Sequence, residues 1–257
     1  MYMPFSGTAV ADFEHYVEKH QKKKERKQRK LKQSGLELEV IEPLTYNQRK
    51  VFESYKHGDN LVLHGCAGTG KTFLSSYLAI KDILERVDNK RQLIMVRSVV
   101  PTRDMGFLPG NITEKIKAYE TPYKELFSNM FNRGDAYDIL KGRGLVDFVT
   151  TSFVRGQTWD DAIIVIDEAQ NLSFQELHSV ITRVGENSRI IVCGDGKQDD
   201  LTSERFKEQS GLQQFLQVLY KMESFKIHNF EPDDIVRSGL VREYILACES
   251  LNTRALT

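Results

Sequence analysis

The chain has 257 residues, 40% of them hydrophobic and 28% charged, with 36 basic residues set against 36 acidic ones. This suits one sizeable globular domain with a real core, and no apolar run approaches the ~20 residues that a membrane span needs. Cys66, Cys193 and Cys248 are scattered and lack CxxC spacing, which argues against a disulfide framework or a zinc site and fits a reducing, cytoplasmic setting.

Residues 1–42 read as a helical, charged N-terminal arm. The opening "MYMPFSGTAVADFEHYVEK" has no long apolar core and carries acids early, so no secretory signal is expected. Residues 19–32, "KHQKKKERKQRKLK", hold seven Lys and two Arg against one Glu, and the rest of the chain carries the balancing negative excess. The segment lacks Gly and Pro until Gly35, so it can be helical. Two readings stand: a solvated arm, or an electrostatic contact with nucleic-acid phosphates.

Pro43 opens the body, residues 43–257. "LTYNQRKVFESYKHG" reads as a helix with Thr45 as N-cap and Gly58 past its end. "NLVLHG" is a short buried strand, and "KTFLSSYLAIKDILERV" is a helix with Leu74, Leu78 and Ile83 on one face. "RQLIMVRS" is the next strand. Residues 101–123 contain three Pro and two Gly, so they are expected as an excursion over the surface. "VDFVTTSF" and "AIIVIDEA" are the third and fourth strands. "SFQELHSVITRVG" is a helix from Ser173 to Gly185, and "SRIIVCGD" is a fifth strand. The helix "GLQQFLQVLYKM", a candidate edge strand "SFKIHNF" and a last helix "DDIVRSGLVREYILACES" follow. Strands alternating with helices give an α/β fold, a parallel sheet covered on both faces, whose working residues sit at the carboxyl ends of strands.

"GCAGTGKT", Gly65 to Thr72, is a full G-x4-G-K-T match between an expected strand and an expected helix. Its backbone N–H groups (Gly65, Cys66, Ala67, Gly68, Thr69, Gly70, with Phe73 following) can form an anion nest at a helix N-terminus. Lys71 would reach the β- and γ-phosphates of ATP, and Thr72 would hold Mg²⁺. That metal also needs an acid at a neighbouring strand end, and Asp167 in "AIIVIDEAQN" is placed for it. Glu168 points elsewhere, so it can act as orienter or base for the attacking water. At the next strand end, Asp195 or Gln198 could sense the γ-phosphate.

Several further stretches carry a resemblance: "GFLPG" (106–110), "VRGQT" (154–158), "TRVG" (182–185), "CGDGKQDDL" (193–201), "SGL" (210–212) and "DIVRSGLV" (234–241). With the two motifs above, they make the chain similar to the PhoH-like family of ATPases, whose cores resemble the first motor domain of superfamily 1 helicases. The likeness runs from about Thr45 to Ser250. The small size and the basic arm look most like a bacteriophage-encoded member. The departures are Cys66 where Pro is common, Gln157 where a basic residue is common, Ser238 where His is common, and Asp199 where an apolar residue precedes Asp200. The resemblance implies a P-loop NTPase with a RecA-like sheet, ATP and Mg²⁺ as ligands, and Gln48 as the reader of the adenine edge. It also implies a ring-shaped homo-oligomer, a hexamer by preference. Only one motor core fits after Lys71, so an activating arginine would come from another copy across a head-to-tail interface. Arg155, Arg183 and Arg237 are the candidates, with Arg237 preferred at the start of the final helix.

Two functions are open. One is an ATP-driven motor or remodeller on single-stranded RNA or DNA. It would contact the strand through Arg97, Ser98, Arg103, Phe107, Lys115, Lys117, Tyr119 and Tyr123, which put bases and aromatics in one region. The other is a switch or assembly ATPase acting on a protein partner. A nuclease finds no room in the chain, and Glu168 and Gln198 disfavour a small-molecule kinase.

Overall fold

The computed structural model describes residues 36–98, 112–195 and 211–254. Its six strands are β1 (Asn60–Gly65), β2 (Gln92–Arg97), β3 (Val146–Thr150), β4 (Ala162–Ile166), β5 (Arg189–Gly194) and β6 (Phe225–Phe230). They form one sheet in the order β3-β2-β4-β5-β1-β6, every neighbouring pair parallel. Strand β5 lies between β1 and β4, so the loop after β1 and the acids after β4 flank its end. The candidate edge strand is β6, at the outer side of β1.

The sheet is covered on both sides because its residues alternate between two apolar faces. One face carries Leu61, Leu63, Leu93, Met95, Ile163, Val165 and Ile191. Four helices pack there: α1 (Tyr46–His57), α2 (Lys71–Glu85), α3 (Ile112–Phe131) and α4 (Ala136–Gly142). The other face carries Val62, Ile94, Val96, Ile164, Ile166, Ile190 and Val192, under α5 (Phe174–Ile181) and α6 (Gly211–Leu219). This explains the unbroken apolar run that leads to Asp167: β4 is buried at every position. Each such side chain contributes about 1.5–3 kcal/mol over the exposed state. The last helix is α7 (Gly239–Arg254). No helix among the described residues is long and apolar enough to cross a membrane.

Several element ends differ from expectation, each for a local reason. Residues 101–123 were expected to be irregular throughout, yet α3 begins at Ile112 and carries Pro122 inside it. Both glycines and two of the three prolines precede residue 112, outside the described residues, and Tyr123, Phe127, Met130 and Phe131 then recur on one buried helical face. Strand β3 stops at Thr150, because Thr151 turns to donate its hydroxyl to Glu176 Oε1 at 2.6 Å. Helix α5 starts with a Ser173–Glu176 capping box but ends at Ile181 rather than Gly185. Gly185 serves close approach: a Cβ there would lie 2.0 Å from Asp160 Oδ1. The final helix starts at Gly239 instead of Asp233. Pro232–Asp234 forms a short 3-10 turn, and Val236 N–H is diverted to Gly68 O at 3.1 Å.

Residues 36–42 also depart from the helical arm expected for residues 1–42. They form no helix and pack on the body as a strap. Leu36 is buried, Leu38 and Ile41 touch the core, Glu39 N–H donates to Met130 O, and Ile41 N–H donates to the Tyr77 hydroxyl. This strap leads into α1, whose caps are as expected. The Thr45 hydroxyl accepts from Gln48 N–H at 3.2 Å, and Gly58 is left-handed at φ 105°. Thr45→Ala should cost about 1 kcal/mol, lowering Tm by roughly 2–4 °C in a calorimetric scan.

Candidate nucleotide-binding site

The turn from β1 into α2 is shaped by glycines. Gly65 sits at φ 115°, and a Cβ on it would lie 2.1 Å from the Phe230 carbonyl oxygen on β6. Gly70 takes φ 81° at the N-cap of α2. No L side chain adopts these conformations without strain, so the backbone here is free to curl its N–H groups around an anion. The Thr69 hydroxyl donates to Cys66 O at 3.0 Å and closes the curl from within. Cys66 is buried, and its N–H donates to Phe230 O at 2.9 Å, so this position works through its backbone.

Lys71 Nζ donates to Gly65 O at 2.8 Å and to Cys66 O at 2.7 Å, which holds the ammonium over the loop. Burial draws its pKa below the usual lysine value, and the negative charge of Asp195 opposes that. The Thr72 hydroxyl donates to Asp167 Oδ1 at 2.6 Å. Asp167 is buried at the end of β4, with its other oxygen, Oδ2, accepting from the Tyr123 hydroxyl at 2.7 Å. Burial, and then the field of Asp167, push the Tyr123 phenol well above its usual pKa.

Glu168 turns away from Asp167 because its backbone is left-handed, at φ 52° and ψ 45°. Left-handed glutamate is uncommon, and such strain gathers at working sites. Burial first, and Asp167 second, raise its carboxyl pKa; Arg97, Gln170 and Lys71 oppose them. The Gln170 amide donates to Glu168 Oε2 at 2.5 Å, and its carbonyl accepts from Asp195 N–H at 3.0 Å. Gln170 therefore ties the second acid of β4 to the end of β5.

These groups line one cavity of about 680 Å³, which is a size that holds a small ligand. Ala67, Gly68, Thr69, Gly70, Lys71, Thr72 and Phe73 form its floor, and Asp167, Glu168, Gln170 and Asp195 one wall. Ile41, Leu44, Pro122 and Leu126 supply an apolar side. Thr72 and Asp167 present two close hard oxygens, and no cluster of three His, Cys, Asp or Glu suited to a metal occurs among the described residues. That donor set fits Mg²⁺, which takes one or two protein oxygens and shares the rest with phosphates and water.

Other expected site residues are placed differently. Gln48 is buried with its amide engaged at both ends, accepting from Leu44 N–H at 2.8 Å and donating to Thr69 O at 3.1 Å. Only its second amide hydrogen and second lone pair remain for a base. Arg237 does not start the final helix; it precedes α7, exposed, and lines its own chain's cavity. Its Cγ would lie 3.0 Å from a Cβ on Gly68. Arg155 is exposed and Arg183 half-buried. Gln157 is structural, donating to Phe153 O and accepting from the Trp159 indole N–H, each at 2.8 Å. Tyr123, expected to stack on a strand, is 1% exposed, and Tyr119 packs on the core. Arg97 interacts electrostatically with Tyr123 and the two acids, and Ser98 is buried beside Glu176. Gln198, Arg103, Phe107 and the basic run 19–32 lie outside the described residues.

Two contributors escaped the sequence reading. Glu176 gathers Ser98, Thr151 and Ser173, joining the ends of β2 and β3 to the start of α5. Only its capping-box spacing from Ser173 was visible. Tyr123 was read as an aromatic for stacking on a nucleic-acid strand, and its bond to Asp167 had no signal in the sequence.

A parallel sheet whose β1 ends in this glycine loop, with the acid of β4 hydrogen-bonded to Thr72, defines a P-loop NTPase core. Within that class the chain belongs to the PhoH-like family, whose model matches residues 40–249 under the description "PhoH-like protein". A PhoH-like protein of Synechocystis sp. is 31% identical over 212 residues, covering 82% of this chain and 63% of that protein. One from Bacillus subtilis is 30% identical over 209 residues, covering 81% and 64%. Protein PhoH of Escherichia coli is 34% identical over 186 residues, covering 71% and 51%. The chain thus spans less than two thirds of the length of these relatives. Among solved structures, the large terminase of a thermophilic bacteriophage in complex with ADP aligns with 79% of this chain and 49% of its own, at 14% identity and a TM-score of 0.45. The Sulfolobus solfataricus SWI2/SNF2 ATPase core in complex with dsDNA aligns with 75% and 47%, at 16% identity and a TM-score of 0.39. No property of this chain follows from those two likenesses.

Gly65→Ala should abolish nucleotide binding in a fluorescent-nucleotide titration. Gly134→Ala, where an added Cβ meets nothing within 4 Å, should stay within about 0.5 kcal/mol of the parent in stability and bind normally.

Proposed function

We propose that the protein binds ATP with Mg²⁺ and hydrolyses it, and that it couples hydrolysis to movement on or remodelling of single-stranded nucleic acid, RNA before DNA, as a ring homo-oligomer. The observation that carries the ATPase reading is the convergence of Lys71, Thr72, Asp167 and Glu168 on one cavity. Thr72 and Asp167 would hold a magnesium ion, which would supply positive charge to the nucleotide's phosphates. Lys71 exchanges two loop carbonyls for phosphate oxygens and keeps its charge on them. Glu168 orients the attacking water and takes its proton, which favours hydrolysis over transfer to a small molecule. Gln170 holds Glu168 and reports its position to the end of β5, where Gln198 follows in sequence.

The basic run 19–32 supports the nucleic-acid coupling, as an electrostatic footprint for phosphates. With Tyr123 buried, the strand contact falls to that run, to Arg103 and Phe107, and to Lys115 and Lys117. Arg237 lines its own chain's cavity, so we place its guanidinium on the same chain's nucleotide. The arginine offered to a neighbouring copy is then Arg155, the more exposed of the remaining two.

Glu168→Gln should still bind ATP while turnover falls by about 10²–10⁴-fold in a phosphate-release assay. Unimpaired turnover would sink the assignment of the base. Single-stranded RNA should stimulate the parent's ATPase at low salt, with the effect fading steeply as salt rises. Silence with both RNA and DNA would favour the assembly ATPase that acts on a protein partner.

A further inference from the structure

Tyr123 lies on the inner face of α3, its ring centroid 5.4 Å from that of Phe148 on β3. Its hydroxyl donates to Asp167 Oδ2 at 2.7 Å, and the Arg97 guanidinium attracts both the phenol oxygen and Asp167 electrostatically. Asp167 Oδ1 receives the Thr72 hydroxyl at 2.6 Å. Three residues from three elements therefore form one hydrogen-bonded chain, Tyr123 on α3, Asp167 after β4 and Thr72 on α2, with the charge of Arg97 at the end of β2 acting on it.

An aspartate carboxylate turns easily about its last torsion, which is broad and roughly two-fold. Donors on its two opposite oxygens remove that freedom. The Arg97 guanidinium attracts Asp167, and the Tyr123 hydroxyl already occupies Oδ2. A carboxylate drawn into a pair with Arg97 would leave Thr72.

We propose that Tyr123 is a positioning residue for the metal site: it keeps Arg97 from capturing Asp167 and so holds Oδ1 beside the Thr72 hydroxyl. This rests on the reading of Thr72 and Asp167 as the magnesium donors. Tyr123 touches neither nucleotide nor metal; it acts through Asp167. Outer partners of metal-holding groups typically matter by about 10–100-fold in metal affinity.

The test uses the full-length chain, a fluorescent non-hydrolysable ATP analogue and the Tyr123→Phe variant, which keeps the ring against Phe148. In EDTA the variant should bind the analogue as the parent does. On adding Mg²⁺, the concentration needed for half-maximal tightening should rise about 10-fold or more. In an Asp167→Asn background, Tyr123→Phe should change the Mg²⁺ midpoint no further. Parent and variant with equal midpoints would overturn the proposal, as would a further shift in the Asp167→Asn background, which would mark Tyr123 as packing alone. A parent that binds in EDTA but gains nothing from Mg²⁺ overturns the magnesium reading itself, and Tyr123's role with it. If the variant does not fold, Arg97→Lys in the parent keeps the question open to measurement. It removes the planar, two-pronged fit to Asp167, and should leave the midpoint at or below the parent's; a 10-fold rise would overturn the proposal.

Discussion

A buried carboxylate must find a donor for each of its oxygens, and Asp167 finds them on different elements. Thr72 comes from the helix that follows the glycine loop, and Tyr123 from the helix on the far side of the cavity. The backbone N–H of Asp167 reaches a third element, donating to Val96 O on β2 at 2.8 Å. Much of the site's geometry depends on this one residue. Moving it would disturb the start of α2, the inner face of α3 and the pairing of β2 with β4. Its neighbour Glu168 can point into the cavity because the chain is left-handed at Glu168 itself. The two acids are adjacent in sequence and belong to different hydrogen-bond systems. Asp167 joins Thr72 and Tyr123, and Glu168 joins the Gln170–Asp195 bridge.

Much of the fold could be read in advance because local signals agreed with the global arrangement. "NLVLHG" and "AIIVI" are bounded by polar residues or glycine and are buried, so strand and end coincide. Thr45, Gly58 and Ser173 are caps whose chemistry is confined to a few neighbouring residues. The glycine loop is likewise local, and its φ values follow from its composition. Reading was poorer wherever a distant partner decides the outcome. The final helix was extended too far because nothing in "DDIVRS" shows that Gly68 will capture the Val236 N–H. The irregular character of residues 101–123 was spread over a helix whose prolines and glycines are concentrated at one end. Tyr123 was misassigned because an aromatic among bases reads alike whether it faces solvent or a buried acid.

Gln48 shows the same limit. A lone glutamine ahead of a phosphate loop offers no hint that both ends of its amide will be used within the protein. Its contacts join the strap to the loop: Leu44 N–H on one side and Thr69 O on the other. The amide serves first as a clamp, and a base would have only the remaining hydrogen and lone pair. Ile41, Leu44 and Leu126 line the cavity on the side of this clamp.

The strap has a mechanical meaning. It is a short run of non-helical backbone anchored on α3 by Glu39, on α2 by Tyr77, and on the phosphate loop through Gln48. A chain pinned at several points transmits tension with little slack, whereas a free coil absorbs it. A load applied to the basic stretch that precedes residue 36 would therefore arrive at the nucleotide cavity without crossing the sheet. The nine residues 36–44 thus sit between the part of the chain that follows the basic run in sequence and the helix whose Gln48 clamps the phosphate loop.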